Sequence, residues 1–158
     1  MMRIGGKRQR GFTVAELITV VVIIGLLASI ALPVARFGIR RQKEVELKAR
    51  LRKITDAVDH YHDLRVKKLV KDPTNLTQGD YPKDLEELVE GVELIDGKKV
   101  RFLRERDLID PITGKKEWLT FSTTDEPDST FSDENNVFDV RSTSTQMSLD
   151  GKTRYNEW

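Results

Sequence analysis

The chain has 158 residues, with 27 Lys and Arg against 26 Asp and Glu, and no cysteine. That length allows one ordinary domain beside any anchor, and the missing cysteine excludes disulfide bonds and thiolate metal sites. The net charge of +1 hides an uneven distribution: residues 36–53 carry eight basic groups against two acidic ones, and residues 120–158 carry three against eight.

Residues 1–11 hold Arg3, Lys7, Arg8 and Arg10 and no acid. From Leu17 to Ala35 no charge interrupts a run of 19 residues. As a helix this run is roughly 28 Å long, close to the thickness of a bilayer's hydrocarbon core. The preceding basic cluster keeps the amino end cytoplasmic and exports the remainder. At the mouth of the run stands one carboxylate, Glu16. An acidic side chain at bilayer depth costs roughly 3 kcal/mol, so its position calls for a named partner.

Leu47, Leu51, Ile54, Val58 and Tyr61 then recur at steps of four and three, with Leu64 continuing the stripe and charged residues on the other faces. That period predicts an amphipathic helix, so the anchor should continue outward as one rod from Phe12 to about Val70. Such a rod is roughly 90 Å long. Gly25 and Pro33 are its weak points, and a kink or locally melted stretch is expected near Pro33. The basic collar at 36–53 also fits nucleic acid as a pattern. It abuts the membrane segment, however, where such charges serve lipid headgroups or neighbouring subunits, and no nucleic-acid partner is expected.

Asp72-Pro73-Thr74-Asn75 should end the helix and open a linker to Gly79. Pro82 opens a short helix over about 83–89, with Asp84 at the positive end of its dipole. Val92–Ile95 and Val100–Leu103 flank Asp96-Gly97, a hairpin signal. Asp110-Pro111 and Thr113-Gly114 form a turn before a strand at Trp118–Ser122. A polar loop over 123–136 leads to a last strand at Val137–Arg141, and the tail returns through Asp150-Gly151 to Tyr155 and Trp158. The fold class is α+β: a long amino-terminal helix packed on a small antiparallel sheet of three or four strands. Such a head is too small for much core of its own and needs the helix's apolar stripe. The expected regions are a leader at 1–11, a transmembrane and polymerisation helix at 12–35, an amphipathic continuation at 36–71, and a globular head at 72–158.

Catalytic signals are missing. His60 and His62 are two residues apart, which sets them on different faces of a helix, unlike the spacing of four used in shared ligation. There is no Ser/His/Asp order, no phosphate-binding glycine loop, and no paired-carboxylate context. The sequence does not read as an enzyme.

Gly11, Phe12, Thr13 and Glu16, followed by the apolar run and Pro33, resemble the leader and anchor of type IV prepilins and pseudopilins. The resemblance covers about 30 residues. It implies cleavage between Gly11 and Phe12 by a prepilin peptidase, N-methylation of Phe12, and assembly through Glu16, Thr13 and Pro33. The physical reading of Glu16 agrees: cleavage creates a cationic amine at Phe12, at the depth of a neighbour's Glu16, and two charges costly in lipid become tolerable when paired. Snorkelling of Glu16 to the interface, or pairing with its own amine one turn earlier, stands as the plainer account.

The head segments resemble the major pseudopilins of type II secretion systems. They are Tyr81-Pro82-Lys83-Asp84-Leu85-Glu86-Glu87-Leu88, Arg101-Phe102-Leu103, Asp110 to Trp118, Phe138 to Ser142 and Leu149-Asp150-Gly151 with Trp158. The loop at 123–136 departs from their pattern. The resemblance implies a single-pass inner-membrane protein with a periplasmic head. It also implies a filament of self-copies, minor pseudopilins, and an inner-membrane assembly platform as partners. Many such pseudopilins hold calcium in the carboxy-terminal loop. The oxygen donors here are Asp125, Asp128, Asp133, Glu134, Asp139, Ser142 and Asp150, with Asp139 and Asp150 as the candidate ligands, although no EF-hand spacing is present. Two other readings stay open. A type IV or competence pilin shares every anchor feature, although pilins commonly staple the head with a disulfide. An exported soluble domain could be cut after Ser29-Ile30-Ala31, before Leu32.

Overall fold

The computed structural model describes residues 11–71, 78–126, 129 and 135–158. The chain divides into two compact units, residues 1–39 and 40–158. Helix α1, Val14–Val66, supplies the described helix of the first unit and continues into the second. Its ladder is helical on both sides of Pro33, so the expected melted stretch is not found. A proline removes one bond from a long ladder without breaking those that flank it. Two hydroxyls in the apolar run bond back to the helix, Thr19 to the Ala15 carbonyl at 2.8 Å and Ser29 to the Leu26 carbonyl at 2.7 Å. Neither is left bare in an apolar setting.

The core of the second unit is built on α1. Ile54, Ala57, Val58 and Tyr61 pack with Leu85 and Leu88 of α2 (Leu85–Glu90) and with Leu103, Leu108, Val137 and Val140. The stripe departs from expectation at two points. Leu51 and Leu64 are only partly covered, and Arg65 takes a buried place where the apolar period runs out.

α1 ends at Val66, four residues before the expected stop. Lys68 adopts a left-handed φ of 54°, its amide bonds the Arg65 carbonyl at 2.8 Å, and the Leu69 amide bonds Leu64 at 3.0 Å. This pair of bonds is a Schellman turn, which satisfies the last carbonyls without any proline. The expected stop at Asp72-Pro73-Thr74-Asn75 lies outside the described residues. Leu69, Val70 and Lys71 turn instead to the hairpin: Val70 bridges Leu94, and the Lys71 amide bonds Glu93 at 2.8 Å.

That hairpin joins β1 (Val92–Glu93) to β2 (Lys99–Val100), with Val92 opposite Val100. Gly97, φ 79°, closes the turn by bonding its amide to Leu94 at 2.9 Å. Phe102 and Leu103 leave the strand, because their amides both bond the Leu88 carbonyl at the end of α2. Asp84 caps α2, accepting the Glu87 amide at 2.8 Å. Gly91 follows at φ 79°, where a Cβ would lie 2.2 Å from the Val100 carbonyl oxygen, so only glycine fits.

β3 (Trp118–Phe121) and β4 (Asp139–Ser142) form a second antiparallel pair, Trp118 facing Ser142 and Phe121 facing Asp139. Among the described residues the head therefore holds two two-stranded sheets instead of one. The last strand starts two residues later than expected because the Val137 amide is taken by the Pro82 carbonyl at 2.8 Å. Asp110, fully buried, organises the turn before β3. Its carboxylate accepts the Ile112 amide at 2.7 Å and the Ser142 hydroxyl at 2.6 Å. The tail folds back on α1: the Glu44 carboxylate accepts the Leu149 amide at 2.6 Å and the buried Tyr155 hydroxyl at 2.8 Å.

One ion-pair network fixes the loop before β3 to α1. Asp107, side chain 3 % exposed, receives Arg50 at 2.5 Å and Lys53 at 2.5 Å. Burial pushes its carboxyl up, but the Lys53 ammonium, the Arg104 amide and Arg50 together hold it below the usual carboxylate range. A carboxyl held low in the fold contributes stability that is full above its unfolded value, about pH 4, and is lost as pH falls through the lower folded value.

Two outcomes follow for the full chain in detergent. Asp107→Asn should destabilise by about 2 kcal/mol at neutral pH, since Lys53 keeps partial access to water. That deficit should shrink below about pH 4 in melting curves taken along a pH series. Lys68→Gly should stabilise by about 0.5–1 kcal/mol in the same measurement, because glycine takes the left-handed position without the strain that lysine bears there.

Candidate assembly site

The amino end of α1 is shaped by Thr13. The Glu16 amide donates to the Thr13 hydroxyl at 3.2 Å, and the Leu17 amide bonds the Thr13 carbonyl at 3.1 Å. Thr13 is thus the helix cap, and Glu16 is the third helical residue, where the backbone dipole favours a negative charge. The Thr-x-x-Glu spacing is a capping signature in its own right. The residue types at these two positions thus have a local cause in the start of the helix.

The Glu16 carboxylate makes no hydrogen bond or ion pair among the described residues. Phe12 is 80 % exposed one turn before it. The apolar face beyond is equally bare: Leu17, Ile18, Val21, Ile23, Ile24 and Leu27 are all exposed, each by more than half its surface. A surface of this kind marks contact with lipid or with other chains. The first unit therefore presents an uncovered apolar helix with an unanswered carboxylate beside the chain position where a new amine is expected. Pro33 lies on the same exposed helix. The leader bases Arg3, Lys7, Arg8 and Arg10 lie outside the described residues.

The other candidates stay apart from this end. His60 meets Phe102 edge-on at 5.3 Å, and His62 stacks on Tyr81 at 4.3 Å. Asp139 is met by Arg141 at 3.4 Å. Asp150 accepts the Ser148 hydroxyl and, at 3.0 Å, the Lys152 amide, and these bonds hold its carboxyl below the usual range. Among the described residues no three acidic or histidine side chains gather where a metal could sit. Asp128, Asp133 and Glu134 lie outside the described residues.

Sequence reading missed the capping role of Thr13, although its spacing was available. It also missed the pairing of Glu44 and Arg40 with Tyr155, 111 and 115 positions away. Nothing local signals that contact.

Taken together, the described residues hold one helix long and apolar enough to cross a membrane, near the amino end, followed by a small α+β head. Residues 6–32 match the family model described as the prokaryotic N-terminal methylation motif. That match supports a type IV pilin-like protein, made with a prepilin-type leader for peptidase processing and self-polymerisation. It is a structural subunit and not an enzyme. No curated protein and no solved structure matches the chain.

Proposed function

We propose that this chain is a pseudopilin of a type II secretion system. After cleavage at Gly11–Phe12 and methylation of Phe12 it polymerises into a short periplasmic filament rooted in the inner membrane. The observation that carries the reading is the Glu16 carboxylate, which finds no partner among the described residues of its own chain. In lipid a charge so placed is costly, and an amine offered by a neighbour at the same depth offsets that cost. Docking is then selected by position along the helix, and the apolar face from Leu17 to Ala35 packs against neighbouring helices once the pair has formed. The absence of cysteine and the resemblance of the head segments favour a pseudopilin over a pilin. The partners of this reading are further copies of the chain, minor pseudopilins, the prepilin peptidase, and the assembly platform.

The mass of the mature amino terminus tests the processing step. A methylated Phe12 is expected, and a chain beginning at Leu32 would mean a conventional signal peptide and end the proposal. Glu16→Ala should leave cleavage intact and lower incorporation into filaments by about tenfold or more, measured by co-assembly with wild-type subunits. On overproduction the filaments should be short and periplasmic; long extracellular fibres would indicate the pilus reading.

A further inference from the structure

The part of α1 in the second unit carries a divided charge pattern on one exposed face. Arg41, Val45, Lys48 and Arg52 follow at steps of four, three and four, and Asp56, Asp59 and Asp63 continue the same face at the same steps. Such spacing keeps side chains on one side of a helix. All seven are exposed, and Val45, the apolar member, is 64 % exposed. The half nearer the apolar run is basic and the far half is acidic.

The chain itself makes little use of these charges. Lys48 lies 4.4 Å over the Trp158 ring, and Asp63 receives Lys67 at 3.2 Å. Arg41, Arg52, Asp56 and Asp59 make no hydrogen bond or ion pair among the described residues. A second element widens the acidic half. Asp59 lines a cavity of about 420 Å³ whose walls also carry Asp125, Glu126 and Asp139, with Arg141 as the one base.

We propose that this face docks a second copy of the chain, parallel and displaced along the helix. The basic half of one copy then lies on the acidic half of the next. The inference rests on the reading of the chain as a self-polymerising subunit and adds the surface and its register. Undisplaced copies would set Arg41 against Arg41 and Asp59 against Asp59, which repels. A displacement of about 15 residues faces Arg41 with Asp56 and Lys48 with Asp63 and sets no like charges of this face together. This is a shift of roughly 22 Å along the axis. An antiparallel pair would match the same charges, but copies carried by the same anchor in one membrane share their direction.

The test uses the full chain assembled in membranes and reads the ladder of cross-linked oligomers. Two variants reverse only charges that the chain does not use internally: Arg41→Glu, and Asp56→Lys. Each alone should reduce the ladder about tenfold, with processing of Phe12 and the melting temperature unchanged, and producing both together should restore it to within a few-fold. Because the chain has no cysteine, the register can be read separately. Copies with Val45→Cys and copies with His60→Cys should form mixed disulfide dimers several-fold more than either variant by itself. A ladder that survives both charge variants yet is lost in Glu16→Ala overturns the surface and leaves the wider reading standing. Cross-links that form within the Val45→Cys population alone overturn the displaced register. A wild-type chain that stays monomeric after processing overturns both.

Discussion

Ile54, Ala57, Val58 and Tyr61 fill the same core as Leu85, Leu88, Leu103, Leu108, Val137 and Val140, so the head folds on the helix that leaves the apolar run. Neither two-stranded sheet could stand alone, since a lone hairpin is marginal in water. The two sheets and α2 are small devices for covering one stripe of α1. Each ties itself to that stripe by a different route. The Glu87 carboxylate accepts the Tyr61 hydroxyl at 2.7 Å, Asp107 reaches Arg50 and Lys53, and the tail reaches Glu44. Burial, reinforced by Glu87, raises the Tyr61 phenol above its ordinary value, so the hydroxyl keeps the proton it donates well into the alkaline range.

The polar ties explain how so small a head keeps one register on a helix. Apolar packing alone tolerates sliding by a turn, because a stripe of Leu, Ile and Val looks similar one turn along. A carboxylate that accepts a buried hydroxyl at one end, and an acid that meets two bases at the other, do not match after such a slide. Glu44 and Asp107 accordingly bracket Leu47, the first fully covered residue of the stripe. They leave the face from Arg41 to Asp63 exposed.

Much of this was legible in the chain. The 19-residue uncharged run, the steps of four and three from Leu47 to Tyr61, Asp84 before a short helix, and Asp96-Gly97 between apolar pairs each carry a local physical cause that sequence exposes. What escaped reading was set by tertiary competition. Lys68 occupies a left-handed site that only the meeting of Leu69 to Lys71 with the hairpin makes worthwhile, so α1 ends early. Phe102 and Leu103 look like strand residues, yet Leu88 claims their amides. Arg65 is buried although the stripe was expected to continue through Leu64, which is only partly covered. At the amino end the residues were legible, but the cap that the Thr13 hydroxyl gives the Glu16 amide was not.

Two acids show why the assembly reading follows from physics as well as from the methylation motif. Asp110 is wholly buried, and its own chain answers it with the Ile112 amide, the Ser142 hydroxyl and a turn closed around it. That carboxylate is complete within one molecule and needs nothing further. Glu16 has the opposite standing. It lies at the edge of an apolar span, its helix terminus offers it a favourable dipole, and none of the described side chains reaches it. The dipole is worth a fraction of what a bilayer charges for an isolated carboxylate. A balance left open among the described residues of one chain, on a helix whose apolar face is also uncovered, is the one that the proposed pairing with another chain's amine would close.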